Sequence, residues 1–146
     1  MAGDTLKIKA KAYLCPQSAS AEDSKQRLAA ANRGAIVQAA KEGVAGNEAL
    51  VEMLAAQTLQ AEASGSLLAN RPEIDLLLRL AGTTQISRAI REAGAKHGEG
   101  FVAVVAGRND VRVPTGFEGI ELARRELSAS ELGRVEKAAL LNAKRA

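Results

Sequence analysis

The chain has 146 residues, of which 25% are charged, 47% hydrophobic and only 2% aromatic. These proportions are typical of a folded globular domain, and they exclude wholesale disorder and a core built on aromatic rings. No apolar run reaches the roughly 18 residues that a membrane span requires, and the single cysteine, Cys15, cannot form an intrachain disulfide. We therefore expect one cytoplasmic domain over residues 1–146.

The net charge is +3, and its distribution along the chain is uneven. Residues 1–69 contain seven Lys or Arg and seven Asp or Glu, whereas residues 70–146 contain thirteen and ten. Ten of those thirteen basic residues are arginines. Arginine binds phosphate through two parallel hydrogen bonds, but it also occurs on solvated helix faces. The charge therefore permits RNA binding without requiring it.

The first element predicted is a strand, because apolar residues alternate with polar ones. Its inward positions are Leu6, Ile8, Ala10, Ala12 and Leu14. Lysines at positions 7, 9 and 11 suit an edge strand, since charge there discourages pairing with another chain. Residues 24–32 then predict a short helix and residues 35–40 a second strand. Asn47 is expected to cap a long helix that ends near Ala63.

The segment from Asn70 to Gly107 predicts a helix, a short break, a second helix and a strand. Pro72 fits the first turn of the first helix, and Gly82 can end it in the left-handed conformation. Thr83 is expected to cap the second helix, which Gly94 ends. Its expected inward residues are Ile86, Ala89, Ile90 and Ala93. Thr84, Arg88 and Arg91 fall on the opposite face, beside Gln85.

The last third of the chain predicts one buried strand and two helices. The apolar run 101–106 between glycines indicates a central strand buried on both faces. A helix is expected over 116–127, with Phe117, Ile120 and Leu127 inward. Ser128 and Glu131 predict a capping box for a last helix, whose expected buried residues are Leu132, Val135, Ala139 and Leu140. The fold class predicted is α/β (α+β), a small mixed sheet packed with several helices.

No set of residues suggests an active site. His97 is the only histidine and lies in a polar, glycine-flanked turn, where an ordinary surface role is expected. One Cys and one His cannot supply the usual ligands of a structural zinc site. The glycine-rich turns match neither the P-loop nor the dinucleotide fingerprint. We therefore expect no enzyme activity, no catalytic residue, no metal and no cofactor.

Four motifs in order resemble the small fourth subunit of the KEOPS complex, the PRPK-binding protein family. They are a V-A-G turn before a long helix (Val44 to Leu50), a helix–break–helix (Glu73 to Gly94, with Ala81-Gly82 and Gln85-Ile86), a V-A-V-V strand (Val102 to Val105) and a closing E-K-x-A-L (Glu136 to Leu140). The matches span roughly 100 residues. Many relatives carry His after the V-A-G turn, where this chain has Ala49.

The resemblance implies a non-catalytic subunit of the machinery that makes threonylcarbamoyl-adenosine (t6A) in tRNA. In that family the subunit binds the kinase-like ATPase subunit of KEOPS and captures the single-stranded 3′ CCA tail of tRNA. The implied partners are therefore that subunit, through it the rest of the complex, and the tRNA 3′ end, with no membrane or DNA expected. The alternative is a regulatory adaptor that binds the kinase-like ATPase without affinity for RNA.

The residues themselves suggest where RNA would bind. A helix beginning near Thr83 presents free N–H groups and a positive dipole, which favour phosphate, and arginines flank it. The hypothesis is that six residues line the RNA site: Asn70, Arg71, Thr83, Thr84, Gln85 and Arg88. The alternative is that Thr83 is only a cap and the arginines are only solvated.

Overall fold

The apolar run after residue 100 forms β3 (Phe101–Gly107), in which every residue is buried. β3 lies between β2 (Ile36–Lys41) and β1 (Lys9–Cys15), and the two-residue β4 (Ile120–Glu121) pairs with the other side of β1. The computed structural model describes residues 7–145, so the predicted inward residue Leu6 lies outside the described part. The predicted α/β class is confirmed.

The strand pairing differs from the mixed sheet that was expected, because every described pair is antiparallel. β1 and β2 run in the same direction and are joined through α1 (Ala21–Ala31). β3 inserts between them in the opposite direction, so no two parallel strands become neighbours. β1 is also not the edge strand that its lysines suggested, because β4 pairs with Tyr13 and Leu14.

Helices cover both faces of the sheet. α2 (Glu48–Ser64) and α3 (Pro72–Ala81) pack on one face, and α1 packs on the other. Alternate residues of β3 therefore enter two different cores. Val102, Val104 and Ala106 meet the α2–α3 layer, whereas Phe101, Ala103 and Val105 meet the α1 layer.

The helix ends follow the predicted chemistry, with small shifts. Asn47 caps α2, and its side-chain oxygen accepts the N–H of Ala49 at 3.1 Å. Pro72 opens α3, and Gly82 ends it with φ +72°. α1 begins earlier than expected, because Ser20 caps it by accepting the N–H of Asp23. α4 (Ile86–Ala93) follows the break after α3 and ends at Gly94.

The helix expected over 116–127 is absent, and this prediction was wrong. Pro114 precedes the segment, and the segment itself contains two glycines, of which Gly116 has φ +79°. It runs extended past β1, and the N–H of Leu122 donates to the carbonyl of Ala12 at 2.8 Å. The ring of Phe117 packs edge-on against Tyr13, with centroids 5.5 Å apart. Contacts with β1 therefore replace the local helical pattern.

The last helix has the predicted capping box at Ser128 and Glu131 but a different buried face. α5 (Ala129–Ala139) buries Ala138 and part of Val135, and α6 (Leu141–Arg145) follows with Leu141 buried. The predicted inward residues Leu132, Ala139 and Leu140 are exposed. The reason is that Arg134 points inward and donates to the carbonyls of Val44 and Leu80, which rotates the leucines outward.

Candidate nucleic-acid interface

The turn between α3 and α4 is fixed by backbone and side-chain hydrogen bonds. The N–H groups of Gly82 and Thr83 both donate to the carbonyl of Leu78, at 2.8 and 3.2 Å. The Thr83 hydroxyl oxygen accepts the N–H of Gln85 at 3.1 Å, and Thr83 is buried, with 7% of its surface exposed. Thr83 therefore positions the turn instead of presenting its side chain to solvent.

α4 begins at Ile86, and Gln85, not Thr83 as predicted, occupies the N-cap position. The Gln85 side chain makes no capping hydrogen bond. Within residues 7–145, no acceptor is found for the N–H groups of Ile86, Ser87 and Arg88. These three donors face solvent at the positive end of the helix dipole, where they favour an anion.

The exposed face of α4 is more apolar than predicted. Ile86 and Ile90 were expected to point inward, but they are 47% and 50% exposed. Ala89 and Ala93, the other two residues predicted to point inward, are buried, and their small side chains let α4 approach its neighbours closely. The two isoleucines are one turn apart and therefore form a shared apolar strip beside Gln85.

The charged residues of α4 form one exposed cluster. Arg88 Nε lies 2.8 Å from Glu92 Oε2, and Arg91 Nη2 lies 3.9 Å from the same oxygen. The hydrogen bond from Arg88 lowers the pKa of the Glu92 carboxyl, and the nearby positive charges lower it further. Glu92 therefore competes with any approaching phosphate for these two arginines.

The structure brings together four of the six predicted RNA-binding residues. These four lie in the turn before α4 or in its first helical turn: Thr83, Thr84, Gln85 and Arg88. Asn70 and Arg71 are exposed at the far end of α3, which is about 15 Å long at 1.5 Å per residue. No hydrogen bond or ion pair within the described residues joins them to the α4 group. The Arg71 side chain pairs with Glu73.

A groove beside α4 was not predicted from the sequence. Its volume is about 610 Å³, and it lies between the start of α1, the outer edge of β2 and α4. Ile74, Leu77 and Ile90 supply apolar wall, whereas the polar and basic lining includes Gln17, Lys25, Lys96 and His97. The lining residues come from four separate parts of the chain, so no local pattern in the sequence predicts the groove. Of the residues named here, the sequence had singled out Ile90 as an inward residue and His97 as an ordinary surface residue.

The cysteine is unsuited to nucleophilic chemistry. Cys15 is 1% exposed, and burial raises the pKa of its thiol to about 11, so the thiol stays protonated at neutral pH. Its Sγ donates to the carbonyl of Tyr13 at 3.6 Å. In the part of the chain that the structure describes, no group of three or more His, Cys, Asp or Glu side chains could hold a metal ion. No helix there is long and apolar enough to cross a membrane.

Comparisons with known proteins add no assignment. No model of a protein family matches the chain, and no curated protein matches it significantly. The residues and geometry of the α4 surface therefore provide the basis for a functional proposal.

Proposed function

We propose that this protein is a non-catalytic KEOPS subunit that binds the kinase-like ATPase subunit and captures the 3′ CCA tail of tRNA for t6A modification. The observation that carries the proposal is the surface formed by α4 and the adjoining groove. This surface combines free helix N–H groups, arginines, exposed isoleucines and a cavity in one place. The proposal implies a cytoplasmic protein, because tRNA is modified there.

Single-stranded RNA needs two kinds of contact: flat or apolar surface for unstacked bases and positive groups for phosphates. The three aromatic rings of the chain offer no exposed stacking face at α4, although Phe101, 1% exposed, lines the groove. Tyr13 and Phe101 are buried, and Phe117 packs against Tyr13. Ile86, Ile90 and the planar guanidinium groups of α4 are the available substitutes for aromatic stacking. A groove of about 610 Å³ is large enough for a nucleobase.

Phosphate would bind at the first turn of α4. The N–H groups of Ile86, Ser87 and Arg88 lie there, and the Arg88 side chain pairs with Glu92 one turn further along the helix. Gln85 adds an amide that can donate to a phosphate or to a base edge. In this arrangement Thr83 contributes indirectly, because its hydroxyl oxygen accepts the Gln85 N–H and so fixes the turn. Asn70 and Arg71 would contact a more distant nucleotide.

The kinase-like subunit would bind the exposed apolar face of α5. Leu132 is 47% exposed and Leu140, at the end of the helix, is 61% exposed. Apolar side chains of this size on one helix are a common centre for a protein contact. Leu132→Glu combined with Leu140→Glu should abolish binding to the kinase-like subunit. Val113→Glu, at a residue 51% exposed in the segment after β3, is the matched control and should bind normally.

The experiment that tests RNA capture compares full-length tRNA with the same tRNA lacking its last three nucleotides, at two salt concentrations. We expect tight binding to the intact tRNA, weakening as salt rises, and a large loss of affinity without the tail. Equal, weak binding to both RNAs would overturn the capture function. It would leave the adaptor alternative, which the exposed leucines of α5 alone would support.

A further inference from the structure

The arginines of this protein divide sharply into paired and unpaired groups. Eleven arginine side chains are described, and eight of them have an ion pair or hydrogen bond to another part of the chain: Arg27, Arg71, Arg79, Arg88, Arg91, Arg124, Arg125 and Arg134. The guanidinium groups of the other three, Arg33, Arg108 and Arg112, have no partner among the described residues.

All three unpaired arginines line one cleft. The cleft has a volume of about 620 Å³ and lies where α1 ends, β2 begins and β3 ends. Arg33 comes from the turn after α1, whereas Arg108 and Arg112 come from the segment after β3. Residues about 75 to 80 positions apart in sequence are therefore brought to one opening. Because every other described arginine is paired, this clustering indicates an external anion.

The walls of the cleft are held in place by one buried amide. Asn32 Nδ2 donates to the carbonyls of Leu28 and Arg112, at 2.9 and 2.8 Å, and its Oδ1 accepts the N–H of Arg112 at 2.7 Å. This clamp joins the end of α1 to the segment after β3. Arg112 and Arg33, which follows Asn32 directly, therefore extend from a fixed backbone, which lowers the entropic cost of binding a ligand.

The charge balance of the cleft remains positive, although two carboxylates also line it. Asp110 lies 3.7 Å from Lys9 Nζ, so Lys9 offsets its charge. Glu62 is the other acidic lining residue. Val111, which is half-buried, supplies apolar lining together with the buried Leu59 and Val105. An arginine rim around a partly apolar interior suits a ligand that combines phosphate with a less polar group.

We propose that this cleft is a second binding site, which recognises the phosphate group of a nucleotide. The phosphate would lie between Arg33 and Arg108, with Arg112 completing the set. The site is separate from the α4 surface, because the cleft adjoins the start of β2 whereas Gly94, directly after α4, pairs with Ala40 near the end of β2. The inference does not depend on the function proposed for α4. The nucleotide is either a free mononucleotide or one residue of an RNA backbone.

The test uses the full chain and isothermal titration with inorganic pyrophosphate, with adenosine monophosphate and with tRNA lacking its last three nucleotides. Arg33→Gln combined with Arg108→Gln removes two positive charges from the cleft. The control, Arg124→Gln combined with Arg125→Gln, removes the same charge from two exposed arginines that pair with Glu52 and Glu131. Amide NMR spectra of Gly34 and Gly107, which line the cleft, locate the ligand and verify folding.

We expect saturable binding by at least one probe, weakened about tenfold or more in the cleft variant and less than about twofold in the control. Binding by pyrophosphate or adenosine monophosphate identifies a mononucleotide site. Binding by the RNA alone identifies a backbone contact. No saturable binding by any probe would overturn the proposal, and so would an equal loss in both variants, since that would reflect only overall charge.

Discussion

The adjacent helices α3 and α4 each contain an acid–arginine pair spaced four residues apart, in opposite surroundings. Asp75 and Arg79 of α3 are 0% and 2% exposed at their side chains, whereas Arg88 and Glu92 of α4 are 50% and 39% exposed. The shortest distance is similar in both pairs, 2.6 Å in α3 and 2.8 Å in α4. The same spacing therefore serves two purposes, and burial determines which.

The α3 pair is the centre of a network that joins several helices. Asp75 accepts from the Thr58 hydroxyl of α2 and from the N–H of Leu68. Arg79 donates in addition to Gln57, to the carbonyl of Ala138 and to Asn142. The α4 pair has no such partners within the described residues beyond the nearby Arg91. The first pair thus holds α5 and α6 onto α3, whereas the second is available to solvent and to ligands.

Removing one member of each pair should give the largest contrast in stability. Arg79→Ala leaves the Asp75 carboxylate buried without its main partner, and we expect a loss of about 3–5 kcal/mol in the free energy of unfolding. Arg88→Ala removes an exposed pair and should cost less than about 0.5 kcal/mol. Urea denaturation measures both values. Comparable losses would mean that burial does not separate the two pairs.

RNA affinity should respond in the opposite way to stability. Arg71→Glu combined with Arg88→Glu should weaken tRNA binding by about tenfold or more and flatten its salt dependence, because phosphate contacts are lost. The free energy of unfolding should change little, since both side chains are exposed. Filter binding at two salt concentrations measures the effect, with Arg124→Glu combined with Arg125→Glu as control. Affinity within about twofold of the unchanged chain would contradict the assignment of these residues to the site.

The exposed isoleucines of α4 extend the comparison from charge to apolar contact. Ile86→Ser combined with Ile90→Ser should weaken binding to the tRNA tail by roughly fivefold, because bases lose an apolar surface. This double substitution should change the free energy of unfolding by less than about 1 kcal/mol, because both residues are half exposed. Leu76→Ala in α3, at a residue 0% exposed, should instead cost about 2–5 kcal/mol. If the isoleucine variant unfolds as easily as the leucine variant, these isoleucines are structural.

Local patterns predicted much of α3 and less of α4. Pro72 and Gly82 specify a helix whose start and end were both correctly placed, because each signal acts within a few residues. In α4 periodicity placed two isoleucines and two alanines on the inward face, but only Ala89 and Ala93 are buried. The close approach of Ala89 and Ala93 to neighbouring elements decides the orientation, and that approach depends on the whole fold.

Long-range contacts explain the other differences. The segment after β3 was predicted to contain a helix, but its extended path is set by pairing with β1 and by the hydrogen bond from the Glu48 N–H to the carbonyl of Ala123. The Arg134 side chain points inward because it donates to the carbonyl of Leu80, near the end of α3. The groove and the arginine cleft each combine segments that are distant in sequence, so they become visible only after folding.

The smallest predicted effect concerns the acid of the α4 pair. Glu92→Gln removes a carboxylate that competes for Arg88 and repels phosphate, so tRNA binding should tighten by about two- to threefold. The hydrogen bond from Arg88 lowers the pKa of Glu92, so the carboxyl is ionised at any pH above its ordinary pKa. Any stability from the pair is therefore present above the ordinary pKa and is lost only as pH falls through the lowered one. Binding measured at pH 5.5 and pH 8 should accordingly show the same gain, and weaker binding by the variant would mean that Glu92 positions Arg88 for RNA.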